Sequence, residues 1–317
     1  METKEIRALC DNIRANISRV IVGKEDVIEQ FLIALIAEGH ILLEDVPGTG
    51  KTMLAKAASK SIDCEFKRIQ FTPDLLPTDL TGVNFYNQKK GEFEFRPGAV
   101  FTNLLLADEI NRATPRTQSA LLECMEERQV TIDGQTHKLA APFMVIATQN
   151  PVETQGTFPL PEAQLDRFLI KVDMGYPETA EGVEILRRFK QANPLNEIKA
   201  VATAQDIIDA RASYASKVHV SDDVLTYIVQ IAEASRKHND VVLGVSPRGT
   251  QALLRAAQVK AILSGRDFVS PDDVKAVVFP VFAHRVILKS SARVKKDMSR
   301  IVLENILSSV TVPAEGK

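Results

Sequence analysis

The chain has 317 residues, 45% of them hydrophobic and 25% charged, with a formal net charge of −2. That is an ordinary globular composition with room for two domains, and its balanced charge gives no support for nucleic acid or an anionic membrane as the main partner. The longest apolar run, residues 31–43, is broken by Glu38 and His40 and is too short and too polar to span a bilayer.

The N-terminus, Met1-Glu2-Thr3-Lys4-Glu5-Ile6, is charged and lacks the apolar core of a signal peptide, so a cytoplasmic setting is expected. Ile6, Leu9, Ile13 and Ile17 then fall on one face of a helix over residues 4–19. Val20-Ile21-Val22-Gly23 interrupts it, and residues 25–37 form a second, apolar helix. Ile41-Leu42-Leu43-Glu44 reads as a short buried strand, followed by a loop holding Pro47, Gly48 and Gly50 and by a helix beginning near Met53.

Strand, glycine loop and helix in that order form a phosphate loop. Glycines let backbone N–H groups curl around an anion at a helix N-terminus, Lys51 reaches the β- and γ-phosphates, and the Thr52 hydroxyl can hold Mg²⁺. The full motif has glycine where this chain has Asp45, so the match is Gly50-Lys51-Thr52 in its context. A second half of such a site follows at Leu104-Leu105-Leu106-Ala107-Asp108-Glu109, a buried strand ending in two acids. Asp108 supports Mg²⁺ there and Glu109 polarises the attacking water.

Further strands are expected over residues 64–71, 144–148 and 168–172, giving five parallel strands with helices on both faces. Two hairpins interrupt this alternation. One has an exposed basic tip, Asn87-Gln88-Lys89-Lys90-Gly91, and the other turns at Asp133-Gly134. Between them Thr114 caps a helix whose first residue is Pro115 and whose buried face is Leu121, Cys124 and Met125. Gly175-Tyr176-Pro177 marks a boundary between an α/β core, residues 1–174, and a region, residues 175–317, that reads as helical throughout, with Ser246-Pro247 and Ser270-Pro271 as helix starts and a loose tail at 314–317. Cys10, Cys64 and Cys124 are too scattered for a disulfide framework or a zinc site, and no two of the five histidines stand at metal-ligand spacing.

A lysine loop, a strand ending in Asp-Glu, a third polar-ended strand and a helical lid together resemble an AAA+ ATPase. The wording of residues 44–52, Ala147-Thr148-Gln149-Asn150-Pro151, residues 160–168 and Ser246-Pro247-Arg248 resembles the MoxR family. The resemblance implies that Asn150 is sensor 1, that Arg167 is an arginine finger acting on the neighbouring subunit's nucleotide, and that Arg248 is sensor 2, within a subunit or across an interface. It implies ATP held by Val22, Gly23, Pro47, Gly48, Thr49, Gly50, Lys51, Thr52, Met53 and Asp108, with Mg²⁺ on Thr52 and Asp108. It also implies a homo-oligomer, a hexameric ring, that remodels or activates partner protein complexes, commonly with a von Willebrand factor A domain protein and including metal cofactor insertion. The competing readings are a magnesium-chelatase-type motor subunit, a nucleic-acid translocase, for which only Lys89 and Lys90 speak, and a non-catalytic nucleotide-dependent interaction module, against which Glu109 speaks.

Overall fold

A computed structural model of the chain describes residues 1–44, 48–150, 156–191, 193–289 and 298–313. Helices α1 (Thr3–Ser18) and α2 (Glu25–Ile36) lead into strand β1 (Ile41–Glu44), helix α3 (Lys51–Ile62) and strand β2 (Phe66–Gln70). The short helix α4 (Pro77–Thr81) introduces a hairpin, β3 (Gly82–Asn87) and β4 (Glu92–Pro97), before strand β5 (Leu104–Asp108) and helix α5 (Pro115–Glu127). A second hairpin, β6 (Gln129–Ile132) and β7 (Gln135–Lys138), is followed by strand β8 (Met144–Gln149), helix α6 (Glu162–Leu165) and strand β9 (Ile170–Val172).

The five expected strands form one parallel sheet in the order β2-β5-β8-β1-β9. Their apolar runs are continuous because both faces are covered. Leu43, Leu104, Leu106, Met144 and Ile146 share one core with α1, α2 and α3, and the alternate residues Leu42, Leu105, Ala107, Val145 and Ala147 share the other with α5. All ten are fully buried, each of the larger ones stabilising the fold by about 1.5–3 kcal/mol. A parallel sheet sends every strand's carboxyl end to one edge, where the loops that follow them meet.

Asp133 and Gly134 take φ values of 48° and 78°, as a two-residue hairpin turn of the primed type requires. The two hairpins are packed on one another: Asn84 Nδ2 donates to Asp133 Oδ2 at 2.8 Å, and the His137 ring stacks on Phe95 at 4.1 Å. Thr114 does stand at the start of α5, but its hydroxyl caps no amide and lies 3.3 Å from the Thr117 hydroxyl instead.

The second region contains α7 (Thr179–Gln191), α8 (Ala204–Lys217), α9 (Asp222–Lys237), β10 (Val241–Leu243), α10 (Pro247–Leu263), α11 (Pro271–Phe282), β11 (Ile287–Leu288) and α12 (Met298–Ser309). Ser246 and Ser270 cap α10 and α11 as expected, accepting from Gly249 N at 3.0 Å and Asp273 N at 3.3 Å. The region is not helical throughout, since β10 and β11 pair antiparallel. Strands of three and two residues are too short to show a period in sequence. The expected tail at 314–317 lies outside the described residues.

Helices α8 and α10 pack against α1 and α2, so the lid's apolar interior is continuous with the α1–α3 side of the sheet. Arg285, buried after α11, pins the two regions together. Its Nε meets Asp166 Oδ1 at 2.6 Å, Nη2 donates to Phe168 O at 2.7 Å and Nη1 to Leu169 O at 3.2 Å. Burial lowers its pKa to about 10, which leaves it charged at neutral pH. These contacts fall just before β9, at the amino-terminal edge of the sheet.

Candidate active site

At the carboxyl edge β1 runs toward the lysine loop, of which Asp45, Val46 and the predicted ligand Pro47 lie outside the described residues. Gly48 and Gly50 have φ values of 89° and 97°, and a Cβ built on either would meet nothing within 4 Å. Only glycine takes this backbone without strain. Gly50 is also the N-cap of α3 and has no side chain to offer the first amides of that helix. Thr49, Lys51, Thr52 and Met53 follow around this opening, all partly exposed. Open space, a positive helix end and a lysine at its first residue fit a nucleotide's phosphates.

Strand register brings the other groups to the same edge. Gln70 on β2 pairs with Asp108 on β5, and Ala107 pairs with Ala147 on β8, so Thr148 stands beside Asp108. The Thr148 hydroxyl donates to Asp108 Oδ1 at 2.6 Å and accepts the Glu109 backbone N–H at 2.8 Å. Arg68 Nη2 lies 2.6 Å from Asp108 Oδ2. Glu109 sits in the left-handed region, φ 56° and ψ 52°, which costs a non-glycine residue about 1–2 kcal/mol. Its Oε2 takes donors from Gln70 Nε2 at 2.8 Å and Arg112 Nη1 at 3.0 Å. Asn150, buried directly after β8, has its carbonyl within 3.3 Å of Asn111 Nδ2.

Gly23, which follows the partly buried Val22, lies against the start of α7. Lys24 reaches Tyr176 O at 3.2 Å, and a side chain on Gly23, φ 67°, would run into Glu181. The cysteines take no part: burial pushes the Cys10 and Cys124 thiols up to about 12 and Cys64 to about 11, so all three stay protonated.

Arg167 and Arg248 are elsewhere. The two oxygens of Glu126, at the end of α5, take one each: Arg167 Nε at 3.1 Å and Arg248 Nη2 at 2.7 Å. Around them stand Gly39 and His40, which lead into β1, and Asp166, at the end of α6 shortly before β9. The predicted catalytic set is thus divided between the two edges of one sheet, with Glu109 and Asn150 at the carboxyl edge, beside the predicted Mg²⁺ ligand Asp108, and both arginines at the other. Sequence reasoning missed the residues that hold these groups, Thr148, Arg68, Gln70, Arg112 and Glu126. Thr148 alone left a trace, as a polar residue closing the apolar run of β8.

A family profile described as "ATPase family associated with various cellular activities (AAA)" matches residues 40–170, and one described as "AAA lid domain" matches residues 233–306. Chaperone MoxR1 of Mycobacterium tuberculosis is 41% identical over 306 residues, 94% of this chain and 80% of its own length. This chain belongs to the MoxR family of AAA+ ATPases. YeaC of Bacillus subtilis is 49% identical, across 98% of this MoxR chain and 97% of its own. A crystal structure of a protein from Cytophaga hutchinsonii matches it with a TM-score of 0.91 at 39% identity, over 98% of this chain and 97% of that one. The five-stranded sheet and its covering helices are therefore an AAA+ core, and the helices that follow are its lid.

Proposed function

We propose that this MoxR protein hydrolyses ATP in the cytoplasm as a ring, a hexamer, and uses the cycle to remodel or activate partner protein complexes. One nucleotide would be held by Val22, Gly23, the loop from Pro47 through Met53 and Asp108. Bound Mg²⁺, on Thr52 and Asp108, would neutralise charge on the β- and γ-phosphates. Glu109 orients and polarises the attacking water, Asn150 positions it, and Lys51 draws the terminal phosphate toward the α3 N-terminus. Thr148 keeps both acids in place.

The observation that carries the ring is the location of Arg167 and Arg248 at the edge of the sheet away from the loop, held as a pair by Glu126. An arginine there cannot serve the nucleotide of its own subunit without dismantling the fold, whereas a head-to-tail ring sets one edge against the next subunit's loop. Fingers supplied in this way contribute about 10³–10⁵ in rate. A remodelling role is supported by the 41% identity to a protein named a chaperone. Partners with a von Willebrand factor A domain and insertion of metal cofactors are the forms we propose for it, and the packed hairpin pair is the part suited to meet a client.

The test is ATP turnover per subunit against protein concentration for wild type, Glu109→Gln and Arg167→Ala, with assembly followed by light scattering. Turnover should rise steeply with concentration, Glu109→Gln should bind ATP without cleaving it, and Arg167→Ala should assemble yet stay inactive. Flat turnover with an active Arg167→Ala would remove the shared site.

A further inference from the structure

Behind Glu126 lies a cavity of about 220 Å³ whose charges do not balance. It is lined by five arginines, Arg128, Arg167, Arg248, Arg255 and Arg285, against three carboxylates, Glu38, Glu126 and Asp166. Four of the arginines have acids. Arg128 pairs with Glu38 at 3.1 Å, Arg285 with Asp166 at 2.6 Å, and Glu126 serves both Arg167 and Arg248. Arg255 has none: among the described residues no carboxylate lies within 4.0 Å of it, and its buried Nε has no hydrogen-bond acceptor.

Arg255 follows Arg248 by seven residues on α10, so both project from the same face about 10 Å apart along the axis. Arg167 and Arg248 have side chains 31% and 45% exposed, which places them at the mouth, and the buried Nε of Arg255 lies inside. His40 adds no negative charge on that wall, being buried and neutral. Arg211, beyond the Glu38–Arg128 pair, adds a second buried guanidinium nitrogen without an acceptor. An unpaired, partly buried cation costs stability, and such a cost persists where the group has an anion to bind. The guanidinium fork matches phosphate oxygens two at a time. The volume is below the roughly 300 Å³ at which pockets begin to enclose drug-sized ligands, so it suits a phosphoryl group and not a whole nucleotide.

We propose that this cavity is a phosphate-binding site, separate from the lysine loop, with Arg255 as its inner contact and Arg167 and Arg248 at its mouth. The phosphoryl group is either the terminal one of the neighbouring subunit's nucleotide, an assignment that rests on the ring reading above, or free phosphate. Two measurements separate these. In the first, a Lys51→Ala chain, crippled at the loop, is titrated calorimetrically with inorganic phosphate at low ionic strength, beside Lys51→Ala/Arg255→Gln. In the second, ATP turnover of Arg255→Gln and Arg255→Lys is compared with wild type at a concentration where turnover per subunit has levelled off.

A stoichiometric phosphate signal weakened at least tenfold by Arg255→Gln identifies free phosphate. A tenfold or greater fall in kcat with unchanged ATP affinity, partly restored in Arg255→Lys, identifies the neighbour's nucleotide. If neither moves, the proposal is overturned. Thermal unfolding guards against a merely structural role: removing an unpaired cation should leave Tm unchanged or raise it, and a marked fall would also overturn the proposal. Should wild-type turnover prove independent of concentration, the ring reading fails, and the phosphate titration still decides the cavity.

Discussion

One hydroxyl, that of Thr148, joins the two acids of the site, donating to Asp108 and accepting from the Glu109 amide. Replacing it with the isosteric Val leaves a buried acceptor and a buried donor unsatisfied. We expect Thr148→Val to lose about 1–3 kcal/mol in urea unfolding and to lower kcat at least tenfold with little change in ATP affinity; normal turnover would mean that Thr148 positions nothing. His40 governs a different property. It is buried with Nε2 donating to Met125 O at 3.0 Å and Nδ1 accepting from Val145 N at 2.9 Å, and burial lowers its pKa from 6.5 to about 3. Because the folded value is depressed, this stability is fully present above pH 6.5 and is lost as pH falls toward 3, at up to about 1.4 kcal/mol per pH unit. His284, buried and shifted in the same direction, adds to the slope. Unfolding free energies measured between pH 6 and 4 should show a slope shallower by about one proton in His40→Gln. Glu109 was legible as a candidate because two acids close an apolar strand, whereas its left-handed backbone and its contacts with Gln70 and Arg112 depend on neighbours that sequence does not place beside it.

Among the elements, α11 and the turn after it secure the lid. Arg285 satisfies Asp166 and several carbonyls before β9, so Arg285→Ala should destabilise the chain by about 3–5 kcal/mol, the range for breaking a buried pair. Arg285→Lys should recover little, because an ammonium cannot span the same fork of acceptors. Urea unfolding of both variants checks this, and a lysine variant of wild-type stability would reduce the contact to simple charge. The hairpins show what local patterning can and cannot disclose. Asp133-Gly134 between β-formers announced its own turn, since primed turns demand positive φ. The bond from Asn84 to Asp133 spans 49 positions and leaves no local trace. A double-mutant cycle at Phe95 and His137 should return about 0.5–1.5 kcal/mol of coupling, and a value near zero would mean that the hairpins act independently.

Across the whole molecule, the lid packs on α1 and α2 and grips the strands at their beginnings, which carries Arg248 away from the lysine loop of its own chain. Two inactive variants should therefore complement each other. Glu109→Gln supplies an intact Arg167, and Arg167→Ala supplies an intact Glu109, so a mixture should regain turnover at the interfaces that unite the two. Each alone should stay at least about 10²-fold below wild type, given what a catalytic carboxylate and a finger contribute. A mixture no more active than its components would show that the two residues belong to one subunit's site.

Sequence alone determined the features encoded over a few consecutive residues: the buried strands by their apolar runs, the phosphate loop by glycine, lysine and threonine in fixed order, the helix starts by serine and proline. Hydrogen bonding, burial and backbone strain act locally enough there for spacing to report them. The tertiary structure decided which edge of the sheet each catalytic candidate occupies, that Thr148 ties Asp108 to Glu109, that Glu126 holds two arginines, and that Arg255 is left over. Those facts follow from strand order and lid docking, which are fixed by the burial of whole faces between segments far apart in the chain.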